Sequence, residues 1–340
     1  MNRISLLPLM ILAALLVSTG CNLPRLRATE PTQTPGPVTP TETRPPPLPT
    51  AELGLAENPL ILALPPSADS QAEIDAANVI AAQLTERTGY VIVTVVHDSY
   101  SALVEALERG NAHIALLEPY AYELAYQNGS VKASFAIMSE GKTKYGAQFI
   151  ASRRSGFVSY FNPLNETNTI NDVRIALTQF ADKKPCWSDE TSPSGYVIPL
   201  GHLNSIQIAT KPAAFLEGHP TVVRSLYAGG ICDFGATYID ARKFPSLEDE
   251  FPDLIEQVIV IWRIPEIIPY DVLAFSTDMP QPMRDLFATI IPAILQTDAG
   301  KAAFKTAYDI EELEPVNDAF YNEFRKYVEE SGIELSTLVK

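Results

Sequence analysis

Positive charge is scarce in this sequence. Lys and Arg number 25 against 41 Asp and Glu, which gives a net charge of -16. A surface biased this way repels phosphate backbones and anionic head groups, so it argues against nucleic-acid binding. It also means that an anionic ligand must be held by local dipoles and donors, since the overall field opposes it. Cysteine is scarce as well. Cys21, Cys186 and Cys232 are the full set, and none forms a Cys-x-x-Cys pair. The histidines are His97, His113, His202 and His219, with no His-Glu-x-x-His and no Gly-x-Ser-x-Gly around them. Nothing therefore points to a zinc site, to a cofactor or to a serine-hydrolase elbow. Apolar material is plentiful: 46% of 340 residues, enough for cores in two domains. Apart from the first residues, no run is long enough to cross a bilayer.

Residues 1–21 have the composition of an export signal. Arg3 is a minimal positive start, Ile4 to Val17 is almost unbroken apolar sequence, and Ser18-Thr19-Gly20 places small residues before Cys21. Small residues followed directly by cysteine resemble the lipobox of bacterial lipoproteins, whose cysteine is acylated and anchors the chain. Ser18 departs from that motif, which usually has Leu there. A plain cleaved leader with an incidental cysteine is the blander reading. Residues 22–56 hold Pro31, Pro35, Pro37, Pro40, Pro45, Pro46, Pro47 and Pro49 among threonines. Such a segment cannot pack a core and predicts a semi-extended tether. Export would take Cys186 and Cys232 out of the reducing cytosol, where they can pair as a disulfide or stay as two buried thiols.

The remainder alternates in period. Leu60–Leu64 reads as a buried strand, 72–87 as a helix with one apolar face, and Tyr90–Val96 as a β-branched strand. A helix over 100–109, a strand over 113–117 and a helix over 120–127 complete a β-α-β-α-β-α unit. The pattern restarts with a strand at Val173–Leu177, helices over 194–204 and 220–227, a strand at 231–236 and a helical stretch from Tyr238. Ala147–Ala151 and Val272–Phe275 are extended apolar runs expected to cross between two lobes, and about 281–338 reads as helical. The fold class is α/β, with mainly parallel sheets flanked by helices and hinge strands between lobes. One lobe is expected from 57–148 plus 266–340 and the other from 149–265.

Several stretches carry a resemblance in the right order over about residues 58–280. Asp98-Ser99-Tyr100-Ser101-Ala102-Leu103-Val104-Glu105-Ala106-Leu107, Gly110, Ile114-Ala115 and Pro119-Tyr120-Ala121-Tyr122 resemble the first lobe of phosphonate/phosphate-type ABC substrate-binding proteins, which have the type II periplasmic-binding-protein fold. Gly141-Lys142, Tyr145 and Ser155-Gly156 resemble that family's hinge stretch. Thr191-Ser192-Pro193-Ser194-Gly195-Tyr196 resembles its Ser-Thr-Ser-Gly-Tyr loop. Gly218-His219, Gly230 and Asp233-Phe234-Gly235-Ala236-Thr237-Tyr238 resemble its later Gly-Ser-His and Asp-x-Gly-x-x-Tyr stretches. Three positions depart: Pro193 replaces a hydroxyl residue, Pro220 an acidic one, and Glu118 a glycine.

The resemblance implies a non-enzymatic, extracytoplasmic solute-binding protein, anchored by lipid to the outer face of the membrane. It would be monomeric and without a cofactor. Hinge closure on a phosphonate, phosphate or phosphite ion would hand the ligand to ABC permease subunits. The implied ligand residues are Ser192, Ser194 and Gly195 at a helix start, His219 and Tyr238 from the second lobe, and Tyr100, Tyr120, Tyr122 and Tyr145 at strand ends or first helical turns. A plainer role stands beside each: Thr191 or Ser192 as a helix cap, the tyrosines as core, and His219 as a capping residue. Asp233 reads as structural, and Arg153-Arg154 and Lys183-Lys184 as either cleft cations or solvated surface. Three other outputs fit the same composition: a sensor lipoprotein signalling to a membrane kinase, an exported hydrolase, and a structural surface lipoprotein.

Overall fold

A computed structural model describes residues 52–68 and 70–340. Cys21, the leader and the tether up to residue 51 lie outside the described residues.

The first part of the chain alternates as its periodicity predicts: β1 (Leu60–Leu64), α1 (Gln71–Thr88), β2 (Ile92–Val96), α2 (Tyr100–Glu108), β3 (Ile114–Leu117) and α3 (Pro119–Gln127). Local signals set the helix ends. Ser70 caps α1 by accepting from Glu73 N at 3.3 Å, and Gly89 ends it at a φ of 77°. Ser99 caps α2 through Ala102 N at 3.0 Å. Glu118 caps α3, accepting from Tyr120 N and Ala121 N at 3.2 and 2.9 Å.

The chain continues through β4 (Val131–Ile137), β5 (Lys144–Ser152), a hairpin of β6 (Phe161–Asn162) and β7 (Thr167–Asn168), α4 (Val173–Leu177), β8 (Pro185–Trp187) and α5 (Ile198–Ser205). Then come β9 (Ala214–Phe215), α6 (His219–Ala228), β10 (Phe234–Tyr238), α7 (Pro245–Glu250), α8 (Leu254–Gln257), β11 (Val258–Pro269) and β12 (Val272–Ser276). The last elements are α9 (Gln281–Leu295), α10 (Asp298–Tyr308), β13 (Leu313–Pro315) and α11 (Asn322–Ser331).

These strands form two main sheets, ordered β13-β4-β12-β3-β1-β2 and β11-β5-β10-β8-β9. β1 runs parallel to β2 and β3, and β8 parallel to β9 and β10. β12 is antiparallel to β3 and β4, and β5 is antiparallel to β10 and β11. The sheets are thus mixed, where mainly parallel ones were expected. Parallel pairs occur where a helix carries the chain back over the sheet; antiparallel pairs occur where the chain enters or leaves a sheet. Cys186 in β8 and Cys232 just before β10 are joined as a disulfide, with Cα atoms 5.7 Å apart.

Several expectations need correction. Val173–Leu177 is a helix. Asp172 caps it by accepting from Arg174 N at 2.9 Å, and Ala176 and Leu177 turn inward at helical spacing from Val173. A five-residue apolar run does not distinguish strand from helix by composition, and the sheet position is taken by Pro185–Trp187. The strand expected at 231–236 starts at Phe234, because the Asp233 carboxylate turns back to accept from Lys184 N at 2.8 Å and leaves Ile231 exposed. β5 and β12 do not cross between sheets: each lies wholly in one, and residues 138–143 and 270–271 make the crossings. Folded structure begins before residue 57, since Gly54 O accepts from Val91 N at 2.8 Å. The positive pairs do not reach the ligand edge described below: Arg153 and Arg154 bond the carbonyls of Glu256 and Tyr227.

The C-terminal segment touches the layers of both sheets. α11 packs on α5, where Gly201 of α5 lies against the Tyr327 backbone. On the other side, Arg325 donates to both carboxylate oxygens of Glu123 in α3, at 2.7 and 3.0 Å. Asp318 accepts from Tyr122 Oη at 2.7 Å and from Ala133 N at 3.0 Å. One buried cluster runs from Leu103, Val104 and Tyr120 to Phe149 and Phe234 by way of Tyr321, Phe324 and Val328. A Cβ on Gly201 would stand 2.0 Å from Tyr327 O. We therefore expect Gly201→Ala to cost about 1–3 kcal/mol of stability through overpacking. Denaturant unfolding measures this, and an unchanged midpoint would refute the close packing.

Candidate functional site

In open α/β sheets the ligand crevice lies beyond the C-terminal ends of parallel strands. In the second sheet those ends are followed by Ser188 after β8 and by Ile239 after β10. β5 runs the other way, so its first residues, including Tyr145, lie at the same edge. A cavity of about 360 Å³ opens there, lined by Tyr145, Ser192, Pro193, Ser194, His219, Tyr238, Ile239 and Tyr270.

The floor of this cavity is the turn into α5. Residues Pro193–Val197 form one wide helical turn that continues into the helix, and Ser192 Oγ accepts from Gly195 N at 3.0 Å. Ser192 is thus a cap that also faces the cavity. Gly195 is required for a spatial reason: a Cβ there would stand 1.8 Å from Ser188 Oγ and 2.9 Å from His219 Cε1. Only a bare backbone lets the imidazole approach this closely.

His219 opens α6. Its Nδ1 accepts from Tyr238 N at 3.4 Å, which assigns the ring hydrogen to Nε2. Nε2 lies 3.5 Å from Ser192 Oγ. In this tautomer the imidazole is a donor toward the cavity and has no lone pair to act as a base on Ser192. Burial pushes the His219 pKa down to about 4, so the ring is neutral at pH 7. Its face packs edge-on to Tyr238, with ring centroids 4.7 Å apart.

Tyr145 forms another wall. Its hydroxyl hydrogen-bonds the Ser194 side chain, and its ring tilts against Tyr270 at 5.2 Å. Behind Tyr145 lies the edge of the first sheet. Val272 pairs with Leu117 across β12 and β3, so Asp271 and Glu118 stand side by side at the two strand ends. Burial pushes their carboxyls up, to about 6 for Asp271 and about 7 for Glu118, despite the two backbone donors on Glu118. Both carboxylates are electrostatic neighbours of Tyr100 and Tyr145. Tyr120 is 2% exposed and its hydroxyl has no hydrogen-bond partner.

The structure thus gathers Tyr145, Ser192, Ser194, His219 and Tyr238 around one cavity, with Gly195 beneath them. Tyr100 and Tyr120 stand behind, next to the acid pair. Tyr122 is placed elsewhere. It is fully buried, its hydroxyl is committed to Asp318, and its ring packs on Tyr321 at 4.1 Å. Two residues along a helix is a turn of about 200°, so Tyr120 and Tyr122 face opposite ways. Sequence reasoning did not find Ser188, Ile239, Tyr270 or Asp271. A signal for the last two existed, since they directly precede the extended run Val272–Phe275. β12 is antiparallel, however, so its N-terminal end borders the crevice. Among the described residues no group of His, Cys, Asp and Glu is arranged to hold a metal ion.

Two α/β layers that meet at facing strand ends, with donors lining the gap, define a solute-binding protein of the type II periplasmic class. The chain belongs to the family of periplasmic substrate-binding proteins of phosphonate ABC transporters, which it matches over residues 62–321. It is 25% identical over 309 residues to the phosphate-import protein PhnD of Mycolicibacterium smegmatis, covering 84% of this chain and 89% of that one. Two solved structures of XAC2383 from Xanthomonas citri share the fold. The ATP-bound one has a TM-score of 0.57 at 15% identity and covers 83% of this chain and 99% of its own. The chloride-bound one has a TM-score of 0.56 at 16% identity and covers 82% and 98%. Membership makes this an extracytoplasmic component of an importer that captures a small ligand for permease subunits; the family is one of transport proteins, not enzymes.

The state of His219 is testable through stability. The unfolded chain binds a proton near pH 6.5, whereas folded His219 binds it only near pH 4. Stability should therefore fall as the pH drops from 6.5 toward 4. His219→Asn should flatten part of that fall, leaving the part due to His202, which burial also holds down to about 4. Chemical unfolding at several pH values measures this. A variant with the same slope as the wild type would show that folded His219 takes its proton as readily as the unfolded chain does.

Proposed function

We propose that this protein captures a small phosphorus oxyanion (phosphonate, phosphate or phosphite) in the cavity at the edge of the second sheet. One observation carries the reading: hydroxyls of Ser192, Ser194, Tyr145 and Tyr238 and the Nε2–H of His219 converge on one space of about 360 Å³. Tetrahedral oxygens accept several hydrogen bonds at once, and a cluster of fixed neutral donors suits them. Ser192, Ser194 and His219 hold the oxyanion, Gly195 allows the close approach, and the tyrosines bound the organic arm. Tyr100 and Tyr120 complete the site from the first sheet.

In this reading the two sheets with their helices are the lobes. The ligand bridges them, and closure is favoured by as much as the ligand prefers the closed state to the open one. The chain works as a monomer. Acylated Cys21 and the Pro/Thr-rich segment hold it to the outer face of the membrane.

Calorimetric titration of the full chain with phosphate, phosphite, methylphosphonate and 2-aminoethylphosphonate tests the ligand class. We expect binding of at least one of them, weakened about 5- to 150-fold in Ser194→Ala by loss of one buried hydrogen-bond partner. No heat and no thermal shift with any of the four would sink the assignment. The anchor is tested separately: Cys21→Ser should release the protein from the membrane fraction, and a variant that stays bound would rule out lipid attachment at this residue.

A further inference from the structure

We propose that the cavity selects its oxyanion in the singly charged, protonated form. The inference rests on the reading that the ligand is a phosphorus oxyanion, and it adds which ionic species is taken.

The cavity is lined by neutral donors. Among its lining residues there is no Lys or Arg. His219 is held neutral, and its second nitrogen is occupied by the Tyr238 N–H. The nearest cation on that side, Arg242, is paired with Asp240 at 2.5 Å. Neutral donors can stabilise one negative charge in a water-poor site. A second charge needs a counter-charge or many more donors.

The first sheet supplies the opposite of a counter-charge. Glu118 and Asp271 stand at adjacent strand ends, and both are electrostatic neighbours of Tyr145, whose hydroxyl is bonded to Ser194 on the cavity floor. The groups around the pair are Tyr100 from α2, Tyr120 from α3, Tyr145 from β5 and Tyr321 from the turn before α11, all neutral phenols. No lysine or arginine is an electrostatic neighbour of either carboxyl. A dianion would therefore meet carboxylates across a low-dielectric gap, where repulsion is strong. A monoanion carries half that charge and brings a hydroxyl of its own. Tyr120 Oη, Tyr145 Oη and the carboxyls can receive or give that hydrogen bond, and Tyr120 Oη has no partner within the chain.

The experiment is calorimetric titration of the full chain with methylphosphonate and with phosphite from pH 5 to pH 9. These ligands lose their second proton at different pH. Selection of the monoanion requires affinity to fall about tenfold per pH unit above each ligand's own second ionisation, so the two midpoints should differ as the ligands do. Glu118→Gln should keep that ligand-dependent midpoint. Affinity that rises or stays level through the second ionisation overturns the proposal. So does a fall with one midpoint common to both ligands that vanishes in Glu118→Gln, which would place the titration on the protein. Binding of neither ligand at any pH overturns the proposed function, and this inference with it.

Discussion

Two antiparallel pairings fix the geometry on which everything else depends. β12 lies against β3 in one sheet, and β5 lies against β10 in the other. Each returns the chain to the edge where its parallel neighbours end. The two crossings, at 138–143 and 270–271, therefore open onto the crevice edge of both sheets. Strand ends that would otherwise be separated in sequence are brought face to face: Glu118 and Asp271 on one side, Tyr145, Ser188 and Ile239 on the other. With the pairings parallel throughout, the crossings would fall at the far edge and the crevice would have only one wall.

Charge is handled locally. A chain with a net charge of -16 is a poor long-range trap for anions, and the cavity does not offset this with basic side chains. It uses short-range donors whose value depends on exclusion of water. Gly195 is central to that economy, because its missing side chain lets His219 and Ser188 approach the turn that Ser192 caps. The long His219 contacts, at 3.4 and 3.5 Å, describe a ring poised between a backbone amide and a hydroxyl, with room to tighten when a ligand enters.

Much of this was legible in the sequence, and the limits have physical causes. Helices α1, α2 and α3 carry their own start and stop signals, so Ser70, Ser99 and Gly89 placed them to within a residue or two. The turn Ser192–Gly195 and His219 were found through ordered motifs. Val173–Leu177 was misread because a short apolar run satisfies strand and helix alike, and only packing against the second layer decides. β4 and β11 were passed over because both lie beside better-marked neighbours. Tyr122 and Tyr120 look equivalent in sequence; helical rotation sends one to the core and the other toward the acid pair. Tyr270 and Asp271 were invisible to a rule about C-terminal strand ends, because β12 runs in reverse.

The C-terminal segment gives the two layers a third tie. Its helix rests on α5 with the backbone contact at Gly201, while Arg325 and Asp318 hold Glu123, Tyr122 and Ala133 on the opposite layer. Two short peptide links that run side by side leave a pair of bodies free both to fold together and to twist past one another. A third attachment, set away from those links, removes the twist. What is left is rotation about a single line, with one angle to describe it, so that the donors on one wall always meet the same residues of the other.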